Sequence, residues 1–233
     1  MTPRRDELAA NLADTQARIA AACGAAGRDP AEITLVVVTK TFPASDLVEL
    51  AALGVRDVGE NRHQEAAPKF AQALDGGAHL VRHMIGQLQT NKAAAVAAYA
   101  DVLHAVDRLS LVRALAAGLD RHGRTASALV QVSLDNTPGR GGADPDDVCA
   151  IADAIAACPE LMLRGVMAVA PLGADPDAAF ARLARVAEQM RVDHPDATWV
   201  SAGMSGDLEA AVRHGATHLR VGTAILGSRS PLL

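Results

Sequence analysis

The amino-acid sequence predicts an α/β protein: a single closed (β/α)8 barrel, the TIM-barrel fold, with one extra helix in front of it. Eight apolar runs alternate with helical segments, a pattern typical of a parallel sheet with right-handed crossovers. The first run, 33–38, is continuously apolar, which indicates a strand buried on both faces. Eight units in 233 residues match the usual size of a barrel. The alternative is a doubly wound open sheet, but the nucleotide fingerprint that usually follows its first strand is missing.

Local signals assign the elements in order. A first helix is predicted over 4–26, where leucines, an isoleucine and several alanines share one face. After the first strand, Ser45 is a suitable N-cap for a helix that Gly54 closes. Further strands are predicted at 55–61, 80–85, 102–106, 129–134, 163–169, 199–202 and 218–222, and further helices through 70–74 and at 90–99, 109–119, 146–157, 176–192 and 206–214. We expect one domain, with the barrel at about 33–229.

Composition and charge narrow the class of function. The formal net charge is -5 and only 2% of residues are aromatic, so neither a basic patch nor a base-stacking platform for nucleic acid is expected. No apolar h-region follows the charged N-terminus, and no apolar run is long enough to span a membrane. We therefore expect a cytoplasmic protein with no nucleic-acid or membrane partner.

The cysteines and histidines do not indicate a metal site. The three cysteines, Cys23, Cys149 and Cys158, lack metal-ligand spacing, and the last two lie in alanine-rich helical sequence typical of small core residues in a reducing compartment. The eight histidines are scattered and form no HExxH motif. Among them only His83, at the end of the third predicted strand, is placed where a barrel keeps its active site.

Lys40 closes the first strand. Partial desolvation at such a position lowers the pKa of an amine, which leaves it nucleophilic enough to form a Schiff base with an aldehyde. The alternative is an ordinary strand-terminal lysine whose ammonium group reaches water.

The segments after strands seven and eight are the usual place for a barrel's phosphate site. Glycines there let the backbone come close to an anion, and hydroxyl groups donate hydrogen bonds. Asp207 would repel a phosphate directly above it, and Ser205 is either an anion ligand or only the N-cap of the next helix. The expected phosphate ligands are Ser201, Gly203, Gly222 and Thr223.

A Schiff-base lysine with a phosphate site fits two ligands: a sugar phosphate, as in a Schiff-base aldolase, or pyridoxal 5′-phosphate (PLP). Arg220 favours PLP, because strand alternation points it the same way as Gly222 and its donor-only guanidinium suits an unprotonated pyridine nitrogen. The alternative is that Arg220 pairs with a carboxylate such as Asp57 or Glu60.

Four segments resemble the pyridoxal phosphate homeostasis proteins, also called proline synthase co-transcribed bacterial homologues. They are VVVTKTFP at 36–43, GENRHQE at 59–65, HMIGQLQTNK at 83–92 and SAGMSGDLEAAVRHGATHLRVGTAILGSR at 201–229. The resemblance implies a barrel like the N-terminal domain of alanine racemase, a fold-type III PLP-binding barrel. It implies that Lys40 carries PLP as an internal aldimine and that Arg220 faces the pyridine nitrogen. It places Asn61, His83, Met84 and Met204 in the cofactor pocket and the phosphate on Ser201, Gly203, Gly222 and Thr223.

The chain departs from the family pattern at the pocket rim. Arg82 stands where an aromatic residue is common, Met84 replaces a frequent Phe, and Arg140-Gly141 replaces a common Lys-Gly pair. The aldimine and phosphate positions still match.

Two features favour a cofactor carrier over an amino-acid racemase. Racemases related to alanine racemase take a second acid–base group, a tyrosine, from an extra β-domain, and we expect that domain to be absent because the sequence stops just after the barrel. The sole tyrosine, Tyr99, lies in an alanine-rich helix. An arginine at the pyridine nitrogen also weakens the cofactor as an electron sink. The resemblance thus implies PLP homeostasis or delivery, with no catalytic residue, possible apo-enzyme partners and a monomeric state.

Overall fold

A computed structural model describes residues 3–135 and 141–227. Its eight parallel strands form a closed barrel in sequence order, which confirms the predicted fold. The strands are β1 Thr34–Val38, β2 Asp57–Glu60, β3 Val81–Met84, β4 Val102–Val106, β5 Ala126–Gln131, β6 Leu161–Met167, β7 Trp199–Ser201 and β8 His218–Val221. The helices are α1 Pro3–Ala26, α2 Ala44–Ala52, α3 His63–Asp75, α4 Ala93–Ala97, α5 Leu109–His122, α6 Val148–Ala156, α7 Pro176–Asp193, α8 Leu208–Arg213 and α9 Thr223–Leu226. Single 3-10 turns at Pro30–Glu32, Thr90–Lys92 and Pro145–Asp147 precede β1, α4 and α6.

Strand alternation divides the side chains into two cores. β1 closes the barrel by pairing Val37 with Val58 of β2 on one side and with Val221 of β8 on the other. The larger core lies between the strands and the helices, and a smaller one fills the barrel interior with Val102, Ala105, Leu129 and Met167. On each strand, every second side chain points into the barrel. These side chains face either the smaller core or, at the C-terminal ends of the strands, the loops that carry the candidate site.

The predicted extra helix, α1, packs outside the barrel. Leu8 and Cys23 are fully buried on its inner face. Arg18 forms an ion pair with Glu209 of α8, and its Nη1 donates a hydrogen bond of 2.7 Å to the carbonyl of Ser205. α1 thus supports the segment between β7 and α8 from outside.

The main differences from the predicted elements concern β5, β6 and α9. β5 begins at Ala126 and β6 at Leu161, each earlier than predicted, because Ala126 pairs with Leu161 in the parallel ladder and this pairing outweighs the weak strand propensity of alanine and serine. The short helix α9 was not predicted. Arg140 and residues 228–229, which the sequence analysis included in the site region and the barrel, lie outside the described residues.

No helix within 3–135 and 141–227 has the length and apolarity to cross a membrane. All three cysteines carry free thiols, and burial raises the pKa of Cys23 and Cys158.

Candidate cofactor-binding site

A cavity of about 410 Å³ opens at the C-terminal ends of the strands, a volume within the usual range for small ligands. It brings together six residues that the sequence predicts for the site: Lys40, Asn61, Met204, Arg220, Gly222 and Thr223. Val38, Ile85 and Val169 add apolar walls that the sequence analysis did not assign. The signal for Val38 was available, because a residue two positions before Lys40 faces the same way on a strand.

Lys40 sits in a turn that reverses the chain after β1. The N–H of Phe42 donates to the carbonyl of Thr39 at 3.1 Å, and Thr41 has a φ of 70°. A positive φ at the third residue is the feature of a type II turn, where glycine is usual. Threonine is β-branched, so this conformation costs about 1–3 kcal/mol and persists only where the surrounding structure fixes it. The strain therefore lies directly beside the proposed attachment residue.

Arg220 is buried at the base of the cavity. It donates hydrogen bonds to Ser201 Oγ at 2.6 Å and to the carbonyl of Ala168 at 2.9 Å. No carboxylate within the described ranges forms an ion pair with it, and burial lowers the pKa of Arg220 to about 10. A buried cation without a counterion is costly, so the guanidinium is matched to a ligand that accepts hydrogen bonds.

The alternative that Arg220 pairs with Asp57 or Glu60 is wrong. Glu60 lies on the outward face of β2 and pairs with Lys69 of α3 at 2.7 Å. Asp57 Oδ1 lies 2.9 Å from Nε2 of His83. Both carboxylates are already engaged elsewhere.

Ser201 links Arg220 to a polar chain through the barrel interior. Its Oγ lies 3.0 Å from His104 Nδ1, and His104 Nε2 lies 2.8 Å from His83 Nδ1. One arrangement of donors and acceptors satisfies every bond: Arg220 donates to Ser201, Ser201 to His104, His104 to His83 and His83 to Asp57. Burial also holds the pKa of His104 well below its ordinary value, which keeps that ring neutral.

Four of the residues predicted for the site do not line the cavity. His83 is inside the barrel rather than at its mouth, and both its nitrogens are engaged as described. Met84 has the opposite strand parity and is buried near Tyr99, whose hydroxyl lies 3.8 Å from its sulfur. Ser201 faces Arg220 and His104. A Cβ on Gly203 would meet Ala211 and Leu219 at 2.6 and 2.8 Å, so this glycine faces the helix layer.

The segment between β7 and α8 bears on the N-cap alternative for Ser205. Ser205 lines the cavity, whereas Asp207 occupies the N-cap position of α8, so Ser205 does not cap that helix. Asp207 Oδ1 accepts a hydrogen bond of 2.6 Å from the N–H of Met204, which holds the segment that forms this cavity wall. Gly222 also lines the cavity, and a Cβ there would lie 3.0 Å from the carbonyl oxygen of Val38, so glycine lets the backbones of β8 and β1 lie close together without this tight contact.

A second, wider cavity of about 950 Å³ lies beside the first and shares Asn61 with it. It contains charged side chains of both signs, including Lys92 and Asp107. Met84 lines this neighbouring cavity and not the one that holds Lys40.

Comparison with known proteins assigns the chain to a protein family. The family model for the N-terminal domain of alanine racemase matches residues 6–230. Proteins of Mycobacterium tuberculosis and Escherichia coli named pyridoxal phosphate homeostasis proteins are 44% and 36% identical to the chain, over 97% and 96% of its length and 94% and 97% of theirs. The chain belongs to this family, and the resemblance inferred from its motifs is confirmed.

A solved structure supports the same grouping. PipY of Synechococcus elongatus, in a structure described as having PLP bound, is 33% identical and superimposes with a TM-score of 0.82. The alignment covers 94% of this chain and 100% of the PipY chain.

Proposed function

We propose that this protein binds PLP through Lys40 and holds the cofactor for intracellular homeostasis or delivery, with little or no amino-acid turnover. The observation that carries the proposal is the pairing, in one cavity, of Lys40 with a buried Arg220 that has no carboxylate partner in the described part of the chain. The name of the relatives and the PLP-bound PipY structure support the choice of cofactor. We further propose that the protein acts in the cytoplasm as a monomer.

Different cavity residues are suited to different parts of PLP. The cofactor, when bound, supplies an aldehyde with which the amine of Lys40 condenses, releasing water. Arg220 suits the pyridine nitrogen because a guanidinium can only donate. Gly222, which has no side chain to obstruct an anion, and the hydroxyl of Thr223 line the side of the cavity that suits the phosphate. Asn61 and Met204 complete the walls.

The carrier role is supported by the side chains that line the cavity. Lys40 and Arg220 are its titratable residues within the described ranges, and a racemase needs a second acid–base group on the opposite face of the substrate. Tyr99 packs instead against Phe70 and His63 outside the barrel interior. Burial raises the pKa of Tyr99 well above its ordinary value, so its hydroxyl stays protonated and does not act as a base.

Reconstitution and transfer together test this proposal. Protein incubated with PLP and then desalted should keep a visible absorption band, and the loaded protein should reactivate a PLP-dependent aminotransferase stripped of its cofactor. Dihydroxyacetone phosphate serves as the control for the aldolase alternative. Loss of all absorption on desalting, or borohydride trapping of dihydroxyacetone phosphate on Lys40 as readily as PLP, would overturn the assignment of the cofactor. Robust turnover of an amino acid by the loaded protein would overturn the carrier role.

A further inference from the structure

A buried ion pair lies directly behind the turn that carries Lys40. Lys69, on α3, donates hydrogen bonds from Nζ to Glu60 Oε1 at 2.7 Å and to the carbonyl of Thr39 at 2.8 Å. Glu60 is 0% exposed and Lys69 only 9%. Neither residue lines the Lys40 cavity, so neither is placed to touch a ligand there.

Stability alone does not account for this pair. Removing two charges from water costs about as much as their attraction returns, and apolar replacements of a buried pair are often neutral or stabilising. Glu60 also keeps one buried oxygen, Oε2, without a hydrogen-bond partner among the described residues. Such an arrangement costs folding free energy, so we look for its role in the neighbouring groups that the pair keeps in position.

The ion pair of Lys69 and Glu60 fixes the position of Thr39. The hydroxyl of Thr39 donates to Glu60 Oε1 at 2.7 Å, while its carbonyl accepts from both Lys69 and the N–H of Phe42. The N–H of Thr39 donates to the carbonyl of Gly59 at 3.0 Å. Every polar group of this residue is therefore engaged immediately before Lys40.

We propose that Lys69 and Glu60 are positioning residues for Lys40. Together they fix the carbonyl and hydroxyl of Thr39, which keeps the strained turn at Thr41 in place and directs the Lys40 amine into the cavity that contains Arg220. The inference rests on the proposed function, in which Lys40 is the attachment residue. It deepens that function by separating two tasks: the cavity binds the cofactor, and the buried pair sets the speed of covalent attachment.

The test compares Lys69→Met with a matched control, Arg124→Met. Arg124 also donates to one carboxylate and one backbone carbonyl, Asp101 at 2.7 Å and Ala97 at 2.7 Å, but it contacts neither Lys40 nor its turn. Two quantities are measured on the full chain: the dissociation constant of pyridoxine 5′-phosphate, which has no aldehyde, and the rate at which PLP becomes fixed to Lys40 on borohydride quenching.

In Lys69→Met we expect attachment of PLP to slow by about 10- to 100-fold, because misplacing a reacting group by about 1 Å has an effect of that order. The dissociation constant of pyridoxine 5′-phosphate should stay within about twofold, since the pocket itself is intact. Arg124→Met should change neither quantity. Glu60→Gln keeps an acceptor for Thr39 but removes the charge facing Lys69, so it should slow attachment by a smaller factor. If Lys69→Met fails to fold, Glu60→Gln provides the same test of the positioning role.

The outcomes separate this inference from the function on which it rests. If the wild-type protein attaches no PLP to Lys40, the proposed function fails. If the wild-type protein attaches PLP and both Lys69→Met and Glu60→Gln do so at its rate, only the positioning role fails. An equal loss of pyridoxine 5′-phosphate binding and of attachment would also overturn it, because that result indicates a general structural role.

Discussion

Ser201 Oγ lies between two buried groups, 2.6 Å from Nη1 of Arg220 and 3.0 Å from Nδ1 of His104. The sequence predicts this serine as a phosphate ligand, yet its hydroxyl is engaged inside the barrel. The geometry indicates that Ser201 holds the guanidinium of Arg220 in place. Under the proposed function we therefore expect Ser201 to act on the cofactor through Arg220.

A phosphate ligand and a residue that acts through Arg220 predict different results for Ser201→Ala. Loss of the hydroxyl removes one of the hydrogen bonds that hold the Arg220 guanidinium in place. We expect this to weaken the contact of Arg220 with the cofactor by about 1–3 kcal/mol, so PLP affinity should fall by about 5- to 160-fold. If Ser201 acts through Arg220, the affinity for pyridoxal, which has no phosphate, should fall by the same factor. Titrations of both ligands, with Ser127→Ala on β5 as control, check this. A loss confined to PLP would show that Ser201 contacts the phosphate.

His218 makes stability depend on pH in a defined direction. Burial lowers the pKa of His218 from 6.5 to about 4. The unfolded chain therefore takes up this proton first, so the contribution of the neutral ring is complete above about pH 6.5, falls as pH drops, and is lost below about pH 4. The full contribution of His218 to the free energy of unfolding is about 3 kcal/mol. Burial also lowers the pKa of His104, so His104 makes stability depend on pH in the same direction.

Urea unfolding of cofactor-free protein at pH 7 and pH 4 measures this effect. The drop in unfolding free energy between the two pH values should be smaller by about 3 kcal/mol in His218→Gln than in the wild-type protein. His79→Gln, which replaces an exposed histidine, should behave like wild type. The same drop in all three proteins would mean that burial does not suppress protonation of His218.

Alanine racemisation should be negligible for the loaded protein. Lacking one of two acid–base groups typically costs about 10²–10⁴-fold in rate, and Tyr99 lies away from the cavity lining. Tyr99→Phe should leave any residual rate unchanged, as measured by loss of optical rotation or by chiral chromatography. A clear rate in wild type that Tyr99→Phe or Lys40→Ala abolishes would identify an enzyme.

The sequence predicts the barrel and the six site residues that line the Lys40 cavity because both depend on local patterns. Continuous apolarity in the first strand and the strand–helix alternation were sufficient for the fold, and two-residue parity on β8 correctly placed Arg220 and Gly222 on one face. The start of β5 was missed because pairing with β6, not local propensity, sets it.

The remaining part of the site depends on contacts that local patterns do not contain. The path from His83 through His104 to Ser201 joins strands far apart in sequence, so a histidine at the end of β3 and a serine at the end of β7 each look like cavity residues when considered alone. Lys69 likewise gives no sequence signal, because its role depends on α3 packing behind β1 and β2.

The central claim is that Lys40 is the residue to which PLP becomes attached. The most direct measurement is borohydride reduction of PLP-loaded protein followed by peptide mass spectrometry. We predict loss of the visible band and a reduced pyridoxyl phosphate adduct on Lys40, with no adduct in Lys40→Ala. An adduct on Lys69 or Lys92, or an unchanged yield in Lys40→Ala, would contradict the account.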